Sequence, residues 1–193
     1  MGGRIVGLSG SISRPSRTRV LVEAAVNRAA TRYGRTPSVI ELSDLAPSLG
    51  SAARPSDLNA AAKASMEMFV SADALVLGSP VYKGSYGGLF KHFLDLLDPL
   101  SLVGKPVLLI ATGGGPRHAL VVEHQLRPLL GFFEAQTLAT GIYASDQDFR
   151  DGTLASELLL ERLDRAVAQF APFLSAPLPE AAAPAPAYAA GRA

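Results

Sequence analysis

One stretch decides the fold: Ile5-Val6-Gly7-Leu8-Ser9-Gly10-Ser11-Ile12-Ser13-Arg14-Pro15-Ser16-Arg17-Thr18. Its apolar first half is typical of a buried strand, and the periodic apolar residues after Thr18 predict a helix. The loop between them leads into a helix N-terminus, where free backbone N–H groups and the helix dipole attract anions. Hydroxyl groups and arginines add donors that suit phosphate oxygens. We predict a phosphomonoester site here; the alternative is that Ser16 only caps the helix while the arginines stay in solvent.

Two later apolar runs also end in glycine-rich loops. Residues 72–79 lead into Pro80-Val81-Tyr82-Lys83-Gly84-Ser85-Tyr86-Gly87-Gly88, and residues 105–111 lead into Thr112-Gly113-Gly114-Gly115. Nearly continuous apolar runs are typical of parallel strands that helices cover on both faces. The carboxyl ends of such strands lie at one edge of the sheet, where ligands bind at the reversal of strand order. The three loops are therefore predicted to enclose the phosphate, the ring edge and the ring face of one ligand.

The rest of the chain alternates helices and strands. A second strand is predicted at 38–42, and a final strand at 136–143. Predicted helices occupy 59–71, 89–97, 119–134 and about 153–173. Alanine and proline dominate from Ser175 onward without an apolar period. We therefore predict one domain over residues 1–174 and a disordered tail over 175–193.

Pro128 lies inside the predicted helix at 119–134. Its ring crowds the carbonyl of His124, so an unbroken α-helix is not available there. Either a wide π-helical turn or a simple proline kink would absorb the misfit.

The composition excludes several classes of function. The chain has 193 residues, a formal net charge of +1 and no cysteine, so it offers no disulfide, thiolate metal site or cysteine nucleophile. The sequence contains no cluster of basic residues of the kind that binds nucleic acid. No apolar run approaches the roughly 18 residues that span a membrane, and no signal region is evident. A soluble cytoplasmic protein is the expectation.

No local motif supplies a catalyst. The dinucleotide fingerprint, the P-loop and the Gly-x-Ser-x-Gly elbow are all missing from the sequence. His92, His118 and His124 lack metal-ligand spacing, so no metal site is predicted. We assign no catalytic residue.

The three loops, 10–18, 79–91 and 111–115, resemble those of the NAD(P)H-dependent FMN reductase family. Residues 91–149 are further similar to the reductase components of two-component alkanesulfonate and methanesulfonate monooxygenase systems. The resemblance implies a flavodoxin-like three-layer α/β sandwich with a five-stranded parallel sheet in the order 2-1-3-4-5. It also implies that FMN and either NADH or NADPH bind, with hydride passing to the flavin.

The resemblance assigns the cofactor contacts loop by loop. It places the FMN phosphate at Ser9, Ser11, Arg14, Ser16, Arg17 and Thr18. It places the isoalloxazine along Pro80, Val81, Tyr82, Lys83, Gly84 and Ser85, with its other edge at Thr112, Gly113, Gly114 and Gly115.

The resemblance also implies partners. A monooxygenase would receive the reduced FMN, and the chain would form a homotetramer through its helices at 88–98 and 117–134. Two alternatives stay open: a flavoprotein that keeps FMN bound and reduces quinones, azo dyes or metal oxyanions, and a flavodoxin-like electron carrier. The small net charge argues against the carrier, because electrostatic docking favours a surface of one sign.

Overall fold

A computed structural model describes residues 3–174 of the chain, so the predicted tail at 175–193 lies outside the described residues. The strands are β1 (Arg4–Ser9), β2 (Thr36–Glu41), β3 (Ala74–Pro80), β4 (Pro106–Gly113), β5 (Gln136–Thr137), β6 (Ile142–Ser145), β7 (Phe149–Arg150) and β8 (Thr153–Leu154). The α-helices are α1 (Arg17–Tyr33), α2 (Leu42–Leu49), α3 (Ala60–Val70), α4 (Gly88–Asp95), α5 (Arg127–Phe132), α6 (Glu157–Ala168) and α7 (Ala171–Leu174).

The main sheet is parallel, with β2, β1, β3 and β4 in that order, and β5 and β6 share the next position beside β4. The predicted flavodoxin-like order 2-1-3-4-5 is confirmed. The sheet separates two apolar layers. One contains Val6 and Leu8 of β1 with helices α2 to α4, and the other contains Ile5 with α1 and α6. This alternation follows from the two-residue period of a strand.

The fifth strand is interrupted, so the continuous strand predicted at 136–143 is wrong. Side chains of α6 and of the residue after it bind the backbone of the break in place of β4. Arg162 donates two hydrogen bonds to the Gly141 carbonyl at 2.9 and 3.0 Å. Gln169 accepts from the Thr140 N–H at 2.9 Å. These contacts satisfy backbone groups that would otherwise need a neighbouring strand.

Both predicted C-terminal helices are divided. The helix predicted at 119–134 contains a π-helical turn over Val122–Leu126, in which the Arg127 N–H donates to the Val122 carbonyl. Of the two alternatives predicted near Pro128, the structure has the wide π-helical turn. The segment predicted as one helix at 153–173 begins with β8, continues as α6 and breaks before α7.

Side chains brace the π-helical turn internally and tie it to the loop after β3. Arg127 forms a paired contact with the Glu123 carboxylate at 2.6 and 2.9 Å, and this hydrogen bonding lowers the pKa of Glu123. Gln125 accepts a hydrogen bond of 3.0 Å from the Ser85 hydroxyl in the loop after β3. The turn therefore supports the second of the three predicted loops.

Two glycines determine how closely α1 approaches the sheet. A Cβ on Gly7 of β1 would lie 2.5 Å from Val22 Cγ1, and one on Gly78 of β3 would lie 2.4 Å from Val22 Cγ2. Neither distance is compatible with packed atoms. The missing side chains leave a socket for Val22, and α1 consequently lies against β1 and β3.

None of the helices between residues 3 and 174 is long and apolar enough to cross a membrane.

The Val22 socket generates a stability prediction. Gly78→Ala overpacks the contact with Val22, and we expect a loss of about 1–3 kcal/mol of unfolding free energy in urea denaturation. Gly131→Ala is the matched control, because a Cβ there meets nothing within 4 Å and the residue lies in helix α5. That control should unfold at the same or slightly higher urea concentration. Equal stability of the two variants would contradict the socket.

Candidate functional site

A cavity of about 640 Å³ opens at the carboxyl ends of β1, β3, β4 and β6. Its volume is within the range of small-molecule sites. The loops after β1, β3 and β4 form three walls, and the connector after β6 forms a fourth. The lining residues are Ser11, Pro15, Ser16, Arg17, Thr18, Val20, Pro80, Val81, Tyr82, Thr112, Gly113, Gly114, Ala144, Ser145, Asp146, Phe149 and Gly152.

The structure brings most of the predicted site residues together, and all three predicted loops contribute. The predicted residues that line the cavity are Ser11, Ser16, Arg17, Thr18, Pro80, Val81, Tyr82, Thr112, Gly113 and Gly114. The predicted residues outside its lining are Ser9, Arg14, Lys83, Gly84, Ser85 and Gly115.

Helix α1 presents its N-terminus to the cavity. The Ser16 hydroxyl caps the helix by accepting from the Arg19 N–H at 3.1 Å, and the Val20 N–H donates to the Ser16 carbonyl at 3.2 Å. The N–H groups of Arg17 and Thr18 precede that first helical bond, so the helix does not use them. Capping by Ser16 and an anion site are therefore compatible here.

A buried pair of hydroxyls joins α1 to β4 at the floor of the cavity. Thr18 Oγ1 and Thr112 Oγ1 are 2.7 Å apart, and both residues are buried. Each hydroxyl can donate or accept. When one donates to the other, the second hydroxyl hydrogen stays free to donate to an oxygen of a bound molecule. At the carboxyl end of β1 the Ser9 hydroxyl is buried without a hydrogen-bond partner in the described residues.

The two arginines of the first loop point to different partners. Arg14 pairs with the Asp44 carboxylate and lies 3.7 Å from that of Glu41. Arg17 pairs with Asp146, and its guanidinium carbon is 6.0 Å from the centre of the Phe149 ring. The geometry favours Arg17 as the cation of the site.

The loop after β3 folds into a tight turn. Tyr82 and Ser85 exchange two backbone hydrogen bonds of 2.9 and 3.1 Å around Lys83 and Gly84. Both central residues have positive φ, 51° and 85°, as a two-residue hairpin turn requires. Lys83 and Gly84 at the tip of the turn do not line the cavity, whereas the half-exposed Tyr82 does.

Tyr143 of β6 braces the loop after β4. Its hydroxyl donates to the Gly115 carbonyl, and burial raises the pKa of Tyr143, so the phenol keeps that proton. A Cβ on Gly113 would lie 2.6 Å from the same hydroxyl oxygen. Glycine is thus required at this position, and the cavity gains a wall of bare backbone.

The fourth wall was missed by sequence reasoning. Its cavity-lining residues include Ser145, Asp146 and Phe149, in a connector without a glycine-rich signature. Asp148 fixes the start of the connector by accepting from the N–H and hydroxyl of Ser145 at 2.7 and 3.0 Å. The predicted topology could have indicated this wall, because a fifth parallel strand ends at the same edge of the sheet as the others.

The site is built for binding and orientation. Only Arg17 and Asp146 among its lining residues carry a formal charge, and they pair with each other. One end of the cavity offers hydroxyl groups and a helix N-terminus, and another offers Pro80, Val81 and glycine backbone. Within residues 3–174 no group of three or more His, Cys, Asp or Glu is arranged to hold a metal ion.

Comparison with known proteins gives matches along most of the chain. The family model described as NADPH-dependent FMN reductase matches residues 3–150. The NADH-dependent FMN reductase SfnF of Pseudomonas fluorescens is 46% identical over 169 residues, which are 88% of this chain and 90% of that protein. The FMN reductase (NADPH) of Pseudomonas aeruginosa is also 46% identical, over 88% of this chain and 91% of that protein.

Solved structures agree with this similarity. The apo form of the NADH:FMN oxidoreductase EmoB has a TM-score of 0.78 and 32% identity, covering 91% of this chain and 92% of that one. An oxidoreductase of Corynebacterium diphtheriae has a TM-score of 0.76 and 31% identity, covering 90% and 98% respectively.

Proposed function

The chain belongs to the NADPH-dependent FMN reductase family, and on that premise we propose that it reduces FMN as an exchangeable substrate for a partner monooxygenase. The protein is an oxidoreductase that uses NAD(P)H and FMN. The proposed partner is a flavin-dependent enzyme that oxidises sulfonates or sulfinates. The similarity of residues 91–149 to reductases of such two-component systems supports this choice.

One observation carries the proposal: a single cavity combines a helix N-terminus that has free N–H groups with apolar and glycine walls. The FMN phosphate fits the end formed by Ser11, Ser16, Arg17 and Thr18, because its oxygens accept from hydroxyl, guanidinium and backbone donors. The isoalloxazine fits between the loop containing Val81 and the bare backbone of the loop after β4, where the absent side chains let a flat ring approach closely.

The proposed role of the protein in the reaction is to position the flavin rather than to supply an acid or a base. When bound, FMN supplies the ring that accepts the hydride of NAD(P)H. Tyr143 binds the Gly115 carbonyl and Gln125 binds the Ser85 hydroxyl, so the loops after β4 and β3 are each braced by a side chain from outside the cavity. A ring held in a fixed orientation reduces the positioning that hydride transfer from NAD(P)H requires.

The first test is steady-state oxidation of NADH and NADPH at increasing FMN concentration. We expect oxidation that depends on added FMN and saturates with it, and protein that purifies with less than one FMN per chain. Full turnover by tightly bound flavin without added FMN would favour a quinone or azo reductase. No oxidation of either nucleotide would favour an electron carrier.

Transfer of the product is tested separately with a purified flavin-dependent sulfonate monooxygenase added in excess. Sulfite release that depends on this reductase, NAD(P)H and FMN together supports the partner role. Absence of sulfite despite steady NAD(P)H oxidation would remove the partner while leaving the reductase.

We also propose a homotetramer whose interface uses residues 88–98 and 117–134. Leu120 and Phe132 in the second of these segments are 63% and 68% exposed in the single chain. Apolar side chains exposed to this extent on one segment favour a contact with another copy. Sedimentation velocity at micromolar concentration should give a tetramer, and Phe132→Asp should shift it toward smaller species; a wild-type monomer would contradict the proposal.

A further inference from the structure

An acidic side chain faces the cavity that is proposed to hold a phosphate. Asp146 lines the cavity and pairs with Arg17, the only cation in the lining. The pair links the first turn of α1 to the connector after β6. A carboxylate in this position has no stabilising effect on a bound anion, so its presence calls for a different role.

Rigid elements fix Asp146 in place. It follows Ser145, which pairs with Gly113 in the parallel register of β6 and β4. It also begins the short turn that Asp148 closes through its two hydrogen bonds to Ser145. The sheet and this turn therefore hold the Asp146 backbone at the rim of the cavity, where its carboxylate pairs with Arg17.

The ion pair is weak enough to exchange. The side chains of Arg17 and Asp146 are 53% and 51% exposed, and pairs with this exposure contribute little to stability. A phosphate that binds at the N-terminus of α1 competes with Asp146 for Arg17. The same phosphate then lies near the carboxylate and experiences like-charge repulsion.

We propose that Asp146 determines how readily FMN leaves: its carboxylate competes with the FMN phosphate for Arg17 and keeps both oxidised and reduced FMN exchangeable. This inference rests on the FMN reductase function proposed above. It explains why an anion site contains a carboxylate, since a reductase that delivers its product must release the same phosphate that it binds. The residue sets retention and takes no part in hydride transfer.

The test compares FMN with riboflavin, which lacks the phosphate, in Asp146→Asn. We expect the Kd for FMN to fall about threefold to tenfold, the size of an exposed charge interaction with a dianion, while the Kd for riboflavin changes less than about twofold. Stopped-flow displacement should show slower release of FMN by a similar factor. Anaerobic release of reduced FMN should slow in parallel.

Asp151→Asn is the matched control. Asp151 lies in the same connector and is exposed, but it does not line the cavity. Asparagine tolerates its positive φ of 50°, so the variant removes the same charge without strain. We expect both flavins to bind this variant as they bind the wild type. An equal gain of FMN affinity in both variants would overturn the role of Asp146, because it would reflect net charge alone.

Arg17→Ala removes the cation of the pair and tests the opposite effect on FMN binding. Loss of the cation should weaken FMN binding at least about tenfold and leave riboflavin nearly unchanged, as for other charge-assisted contacts. An unchanged FMN Kd in Asp146→Asn, with FMN still preferred over riboflavin and FMN-dependent turnover intact, would overturn the inference and leave the function standing. A wild type that does not distinguish FMN from riboflavin would overturn the inference together with the phosphate site.

Discussion

The contact of Val22 with Gly7 and Gly78 is the constraint on which the site depends. Because neither glycine carries a side chain, α1 lies close against β1 and β3. The N-terminus of the helix then reaches the carboxyl ends of the strands, and Thr18 comes within hydrogen-bond distance of Thr112. Helix dipole, free N–H groups and hydroxyls converge at this edge of the sheet because of that packing.

The walls of the cavity differ in their chemistry. The first loop contributes hydroxyl and N–H donors, to which the proposed function assigns the phosphate. The loops after β3 and β4 contribute bare backbone and apolar surface, to which it assigns the ring. Tyr143 and Gln125 act from behind these loops, since each binds a loop atom and neither lines the cavity. With a single ion pair as its formal charge, the site suits a reaction whose chemistry resides in the flavin and the nicotinamide.

Sequence reasoning succeeded where the signal was local. The apolar run before Ser9 and the two glycine-rich loops each predict a strand that ends in a binding loop, and Pro128 predicts a wide turn or a kink, from neighbouring residues alone. The strand order and the individual cofactor contacts were implied by the family resemblance. Sequence reasoning failed where the position of a side chain or a strand depends on residues far away in the chain. Arg14 and Arg17 look equivalent in sequence, but their partners Asp44 and Asp146 lie 30 and 129 positions away. The break in the fifth strand likewise depends on Arg162, which is 21 positions from Gly141.

A crystal structure of the protein with FMN tests the central claim most directly, namely that the first turn of α1 holds the phosphate. The account predicts phosphate oxygens within about 3.2 Å of the N–H groups of Arg17 and Thr18, with the ring between Val81 and Gly114. A phosphate at the other end of the cavity, or a ring against the connector with α1 untouched, would contradict it.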